Sequence, residues 1–414
     1  MSTEVSFGSE FRNVLASTKD FNMTQEALPD AMYSTGILNV DFLNGQKALT
    51  YDKDGNCIEI INRGILDGSI NMVIGRSGCG KSTFVSQAAL EIIRPFSKSI
   101  ILEDCIEGGM VERRLQLLSG WDAPEIKRRM IRRNCGITAE NFYKRIKLLH
   151  DLKLDKFEEY KYDTGMRDFD GNPIYKLQPT VYIVDSLPLL LPAKLLEEEE
   201  MSGQMAATAT AKLLAAIFRR ITPICKSANI IIFFINHITK DVDISGRPKK
   251  TKNIFLKQGE TTPGGETPMY LCTNIFRMDD HDKLTEEDKI GIQGNMVTFS
   301  LTKSRTNCGG ASTEIVFTQE LGFDPTLSLY VALKDAGYVG GAGAWWYLKS
   351  LPEVKFSQKG FRAKLFESPE LQERFLKDSY EAMLTLLKKN LEANVIMRDQ
   401  MLTIMNNFNT VNQI

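Results

Sequence analysis

Gly75-Arg76-Ser77-Gly78-Cys79-Gly80-Lys81-Ser82-Thr83 lies between a short apolar run, residues 70–74, and a helical stretch, residues 83–93. The order matches GxxxxGK[ST] with a second hydroxyl behind it, in the strand–turn–helix setting that the chemistry needs. Glycines allow backbone conformations closed to residues with a Cβ, so successive N–H groups can turn inward on phosphate oxygens. The positive end of the following helix points at the same spot. Lys81 is placed to reach the β- and γ-phosphates, and the Ser82 hydroxyl to ligate Mg2+. The stretch reads as a site for ATP or another nucleoside triphosphate. A second apolar strand, Val181-Tyr182-Ile183-Val184-Asp185-Ser186, ends in a carboxylate, and Asp185 is the expected partner of that magnesium.

Working outward, residues 100–102 and 230–235 are further buried-strand candidates, with an Ala-rich helical pattern at 205–224. Strands alternating with helices predict an α/β fold: a mostly parallel central sheet flanked by helices. Residues 112–180 interrupt this alternation, with a basic helix expected at 127–133 and a turn at Asp170-Gly171-Asn172-Pro173. Asp54-Gly55 predicts a hairpin. Two alternating strands, 296–301 and 313–317, flank a turn at Gly309-Gly310. Residues 1–33 read as a helical arm, with Phe11, Val14 and Leu15 at spacings of one helix face. Residues 34–350 form the expected core and 351–414 a helical C-terminal region.

Hydrolysis needs a carboxylate near the γ-phosphate to orient or deprotonate water. Glu103 and Asp104 follow the run 99–102, and Glu107 comes three residues later. Position at the strand end favours Glu103 among the three. Residues 238–265 hold Lys240, Arg247, Lys249, Lys250, Lys252 and Lys257 with Phe255 interleaved, while Gly246, Pro248 and Pro263 oppose regular structure. Such a loop suits phosphate neutralisation and base stacking.

Composition narrows the classes. The 414 residues suffice for about two or three domains. With 51 Lys+Arg against 52 Asp+Glu the net charge is −1, which excludes a uniformly basic coat and confines any nucleic-acid contact to local patches. No apolar run approaches the roughly 18 to 20 residues of a membrane span. No secretory signal is visible, so a cytoplasmic protein is expected. Seven scattered cysteines without a CxxC pair point to thiols rather than disulfides or zinc.

These segments, in this order, resemble the RecA-type strand-exchange ATPases, in particular the UvsX-like recombinases of tailed phages, over about residues 34–350. The resemblance rests on Ser34-Thr35-Gly36 through Asp41, the two nucleotide motifs and the Leu-Pro-Ala stretch after Asp185. It rests equally on Asn236-His237, on Thr262-Pro263-Gly264-Gly265 and on Lys303-Ser304-Arg305. It implies that His237 reports the nucleotide state to a DNA-binding loop closed by Gly264 and Gly265. It also implies that Lys303 and Arg305 reach a neighbouring subunit's ATP. The family's acid lies two residues past the strand's last acid, here Cys105 or Ile106, so Glu103, Asp104 and Glu107 all stay open. Implied partners are single- and double-stranded DNA, further copies of the chain in a helical filament, and mediator and single-strand-binding proteins. A hexameric helicase or ring motor, or a non-catalytic mediator, would share the same core.

Overall fold

The structure, a computed structural model, describes residues 14, 29–105, 109–133, 137–168, 171–197, 203–240, 253–284, 294–307, 309–318, 321–384 and 400–401. Most of the expected N-terminal arm, Glu107, and Arg247, Lys249, Lys250 and Lys252 of the basic loop lie outside the described residues. The chain divides into two compact units, Met1–Ala31 and Met32–Ile414, and all the elements that follow belong to the second.

Its centre is a nine-stranded sheet. In chain order the strands are β1 (Ile70–Gly75), β2 (Ile101–Cys105), β3 (Met130–Arg133), β4 (Thr180–Asp185), β5 (Ile230–His237), β6 (Asn274–Leu284), β7 (Gly294–Lys303), β8 (Ser312–Thr318) and β9 (Gly322–Asp324). In space they run β9-β8-β7-β6-β1-β5-β4-β2-β3. The six from β6 to β3 are parallel, and β7 to β9 extend them as an antiparallel wing. Strands covered on both faces read as unbroken apolar runs, which is why 230–235 lacks alternation. The flanking helices are α1 (Lys81–Ile93), α2 (Ala123–Arg129), α3 (Ala139–Asp155), α4 (Gly203–Ala228), α5 (Thr267–Leu271) and α6 (Pro325–Asp335). Between α3, α4 and the sheet, Phe234 stacks on Phe218 at 4.8 Å and meets Phe142 at 5.6 Å. Burying each such ring stabilises the fold by roughly 1.5–3 kcal/mol. This is an α/β fold with a RecA-like core.

Two expectations need correction. The basic run 127–133 is not one helix: α2 ends at Arg129, and Met130–Arg133 is strand β3, paired in parallel with β2. The charges hid a strand that forms because β2 offers an open edge, a tertiary effect overriding local preference. Two of its arginines, Arg129 and Arg132, turn inward, whereas Arg128 and Arg133 are exposed. Arg129 donates to the Ile93 and Phe96 carbonyls and lies over Trp121, and Arg132 pairs with Glu103. Second, residues 351 onward do not begin as helix. Leu351–Phe356 is a strand paired with Trp345–Leu348, and the helices Phe361–Glu367 and 369–384 follow it. Phe356, Phe361 and Phe375 share one core with Phe42 and Tyr330, so the packing runs straight across position 350. The hairpin at Asp54-Gly55 forms as expected, between Gln46–Tyr51 and Cys57–Asn62.

The 112–180 segment docks on the sheet through a buried lysine. Lys153, on α3, donates to Gln178 O, Thr180 Oγ1 and Asn229 O at 2.7, 3.2 and 3.2 Å. Burial pushes its amine down to about 7, although three acceptors match an ammonium's three N–H groups. The unfolded chain, with an ordinary lysine, binds the proton up to about pH 10.5. Stability therefore rises with pH between about 7 and 10.5. Wild type is expected to gain roughly 2 kcal/mol in urea unfolding from pH 7 to 9.5 relative to Lys153→Met. Parallel pH curves for the two proteins would refute this.

Candidate nucleotide site and the adjoining loop

The phosphate loop leaves β1 at Gly75 and enters α1 at Lys81. Gly78 and Gly80 take φ of 86° and 87°, the left-handed region that a Cβ strains. At Gly75 the constraint is space: a Cβ would run into the Met278 carbonyl oxygen and the Cys79 sulfur. Cys79 is buried beneath the loop, Arg76 and Ser77 are exposed, and Thr83 is half-buried in the first turn of α1. Lys81 curls back so that its Nζ donates to Arg76 O at 2.6 Å. The Ser82 hydroxyl donates to Asp185 Oδ2 at 2.6 Å, closing the two nucleotide motifs on each other. The Asp185–Ser186 peptide is cis. Hydroxyl, carboxylate and lysine beside a glycine-rich turn are the groups that Mg2+ and a triphosphate require, so the residues present fit both.

Sheet alternation sorts two of the three acids, Glu103 and Asp104; Glu107 lies outside the described residues. β2 runs through Cys105, so Glu103 and Asp104 lie inside the strand and not at its end, contrary to the sequence expectation. Cys105 is level with Asp185, and Glu103 with Ile183 on the same face. Glu103 thus shares the nucleotide face but sits one residue pair deeper, 5 % exposed, with Arg132 Nε at 2.5 Å from its carboxylate. Asp104 points to the opposite face. There it accepts both a forked contact from Arg145, at 2.7 and 2.9 Å, and the Tyr182 hydroxyl. It is tied into the α3 side of the core.

The basic loop grows from the strand beside this site. His237, the last residue of β5, is in register with Gly75. Thr239–Lys240 then pairs with Glu260–Thr261, pinching the loop at its base. The Asn236 amide donates to Pro263 O at 2.9 Å and accepts from His237 N–H, fastening the far end of the loop to the end of β5. Gly264 and Gly265 follow with φ of 91° and 82°. Lys240 is exposed, whereas Lys257 reaches Asp279 at 3.1 Å. Phe255 does not face outward: it packs on Tyr270 at 5.5 Å, and Lys303 Nζ lies 5.5 Å above its ring. Among the described residues of the loop, Ile254 is the apolar side chain that faces outward, 79 % exposed.

Lys303 serves its own chain. Its Nζ donates to Met269 O, Tyr270 O and Cys272 O at 3.1, 2.6 and 2.7 Å, capping the end of α5, and burial lowers its pKa. Arg305, two residues on, is exposed.

The sequence reading missed Glu260, Arg277 and Asp279. Arg277 was detectable as an arginine inside the apolar strand 274–278.

No family model matches the chain. Among curated proteins, RecA of Thermus thermophilus is 27 % identical over 196 residues, 47 % of this chain and 53 % of that protein. RecA of Clostridium perfringens is 26 % identical over 229 residues, 52 % and 59 % of the two chains. The "Recombination and repair protein" of Enterobacteria phage T4 is 26 % identical over 193 residues, 45 % of each. The chain spans about half the length of the curated relatives it matches. Over that half the chain is similar to these proteins at 26–27 % identity. Among the described residues no helix is long and apolar enough to cross a membrane.

Proposed function

We propose that the chain is an ATP-dependent DNA recombinase of the UvsX-like kind, assembling as a helical filament on single-stranded DNA and promoting homologous pairing with a duplex. The observation that carries the reading is the placement of the basic loop. It springs from the residues following His237, which is in register with the first glycine of the phosphate loop. A nucleotide-dependent change there is one strand away from a DNA contact. In this reading Lys81 and the loop amides grip the phosphates, and Ser82 and Asp185 hold Mg2+, whose charge offsets that of the transferring group. The water-orienting acid is Glu103, freed from Arg132, or Glu107; Asp104 is turned away. Lys240 and the basic residues to 257 neutralise DNA phosphates, which makes binding weaken with salt. Arg305 is the outward cation fit to meet a second subunit's nucleotide, with Lys303 able to follow only by leaving the carbonyls of α5. Differential affinity then links ATP binding to filament assembly.

The test pairs two measurements: ATP hydrolysis with and without single-stranded DNA, and electron microscopy with DNA and a slowly hydrolysed ATP analogue. DNA-stimulated hydrolysis with helical filaments is expected. Closed rings would point to a motor, and DNA-independent behaviour to a mediator.

A further inference from the structure

The loop is fastened to the nucleotide site on two flanks, and only one of them passes through His237. The other is a charge cluster. Arg277 lies on β6 in register with Ile74, and Met278, the next residue, is in register with Gly75. The two backbones approach so closely there that Gly75 has no room for a Cβ. The Arg277 side chain, 8 % exposed, reaches over to the loop base. Its two terminal nitrogens grip the Glu260 carboxylate at 2.6 and 2.7 Å, and its Nε donates to Asp279 at 2.7 Å. Lys257 completes the set, its amine on Asp279 and its backbone N–H on Glu260 at 2.8 Å. Glu260 is also the residue that pairs with Lys240 where the loop closes.

Two cations and two carboxylates thus bind the loop's closing residues to the strand that touches the first glycine of the phosphate loop. A planar guanidinium gripping a carboxylate with two parallel bonds transmits orientation as well as position, which a lysine cannot do. We propose that Arg277 and Glu260 are positioning residues, a clamp through which the state of the phosphate loop sets the placement of the DNA-binding loop. Neither residue touches nucleotide; each acts through the backbone it holds. The proposal rests on the reading of the loop as a DNA contact and of the glycine loop as the ATP site.

The variants are Glu260→Gln, which keeps shape and removes charge, and Arg277→Lys, which keeps charge and removes the fork. The first measurement is the ratio of affinities for a fluorescent oligo-dT with and without a slowly hydrolysed ATP analogue. This ratio is expected to fall about tenfold in both variants, while affinity for a fluorescent ATP analogue stays within about twofold of wild type. The second needs no DNA: nucleotide should slow tryptic cleavage between 240 and 257 in the wild-type chain and fail to do so in the variants. Unfolding temperature separates a general loss of structure from a loss of coupling. Variants that keep the full wild-type ratio and the nucleotide-dependent protection, or that lose nucleotide affinity in step with DNA affinity, overturn the clamp. A wild-type chain whose oligo-dT affinity ignores nucleotide, yet which shows the protection, overturns the DNA reading and leaves the clamp standing.

Discussion

Lys81→Ala is expected to lower the maximal rate of ATP hydrolysis by at least about a hundredfold, the scale seen when one preorganised charge donor is removed from a developing anion. The side chain is buried against the loop, and its amine already sits on a loop carbonyl, 2.6 Å from Arg76 O, with no bulk water to replace it. In the proposed reading a bound phosphate would replace that neutral acceptor by a charged one, which strengthens such a contact. A methyl group offers neither the charge nor the donor. The fold should tolerate the change, because Gly80 and the α1 backbone, not Lys81, shape the turn. Steady-state hydrolysis together with nucleotide binding tests this: a variant hydrolysing within a few-fold of wild type means the phosphates are held elsewhere.

Asp104→Ala should behave in the opposite way, losing stability and keeping chemistry. Its carboxylate is buried, and removing it leaves the Arg145 guanidinium and the Tyr182 hydroxyl without their acceptor inside the packed face between β2 and α3. Arg145 is 28 % exposed and can turn to water, but the Tyr182 hydroxyl is buried and would lose its acceptor, a cost of about 2 kcal/mol. Urea unfolding measures that loss. The rate per folded site, taken well below the transition, should match wild type, because sheet alternation turns this carboxylate away from Asp185. A large drop in that rate with unfolding unchanged would make Asp104 the water-orienting acid and reverse the order of Glu103 and Asp104.

Glu103 and Asp104 also mark where local reading stops. They are neighbours in the chain with similar chemistry, and the sequence offers position alone to rank them. In the sheet they face opposite layers, and their partners, Arg132 and Arg145, come from 29 and 41 residues away. Phe255 makes the same point: an aromatic among lysines reads as a stacking platform, but Tyr270 and Lys303 hold it inward.

What the chain determined by itself is the glycine-rich turn between strand and helix at 75–81, the strand closing on Asp185 and the alternation of buried strands with helices. Each is a local matter, because glycine conformations, apolar runs and a lysine beside a hydroxyl act over fewer than about ten residues. What only the tertiary structure decided is the strand Met130–Arg133, the turning of Asp104 from the nucleotide face and the grip of Arg277 on Glu260. Those depend on which edges and charges meet across the sheet. A β-edge takes whichever segment packing brings to it, and a buried charge takes whichever partner lies within reach, so neither choice is written in the neighbouring residues.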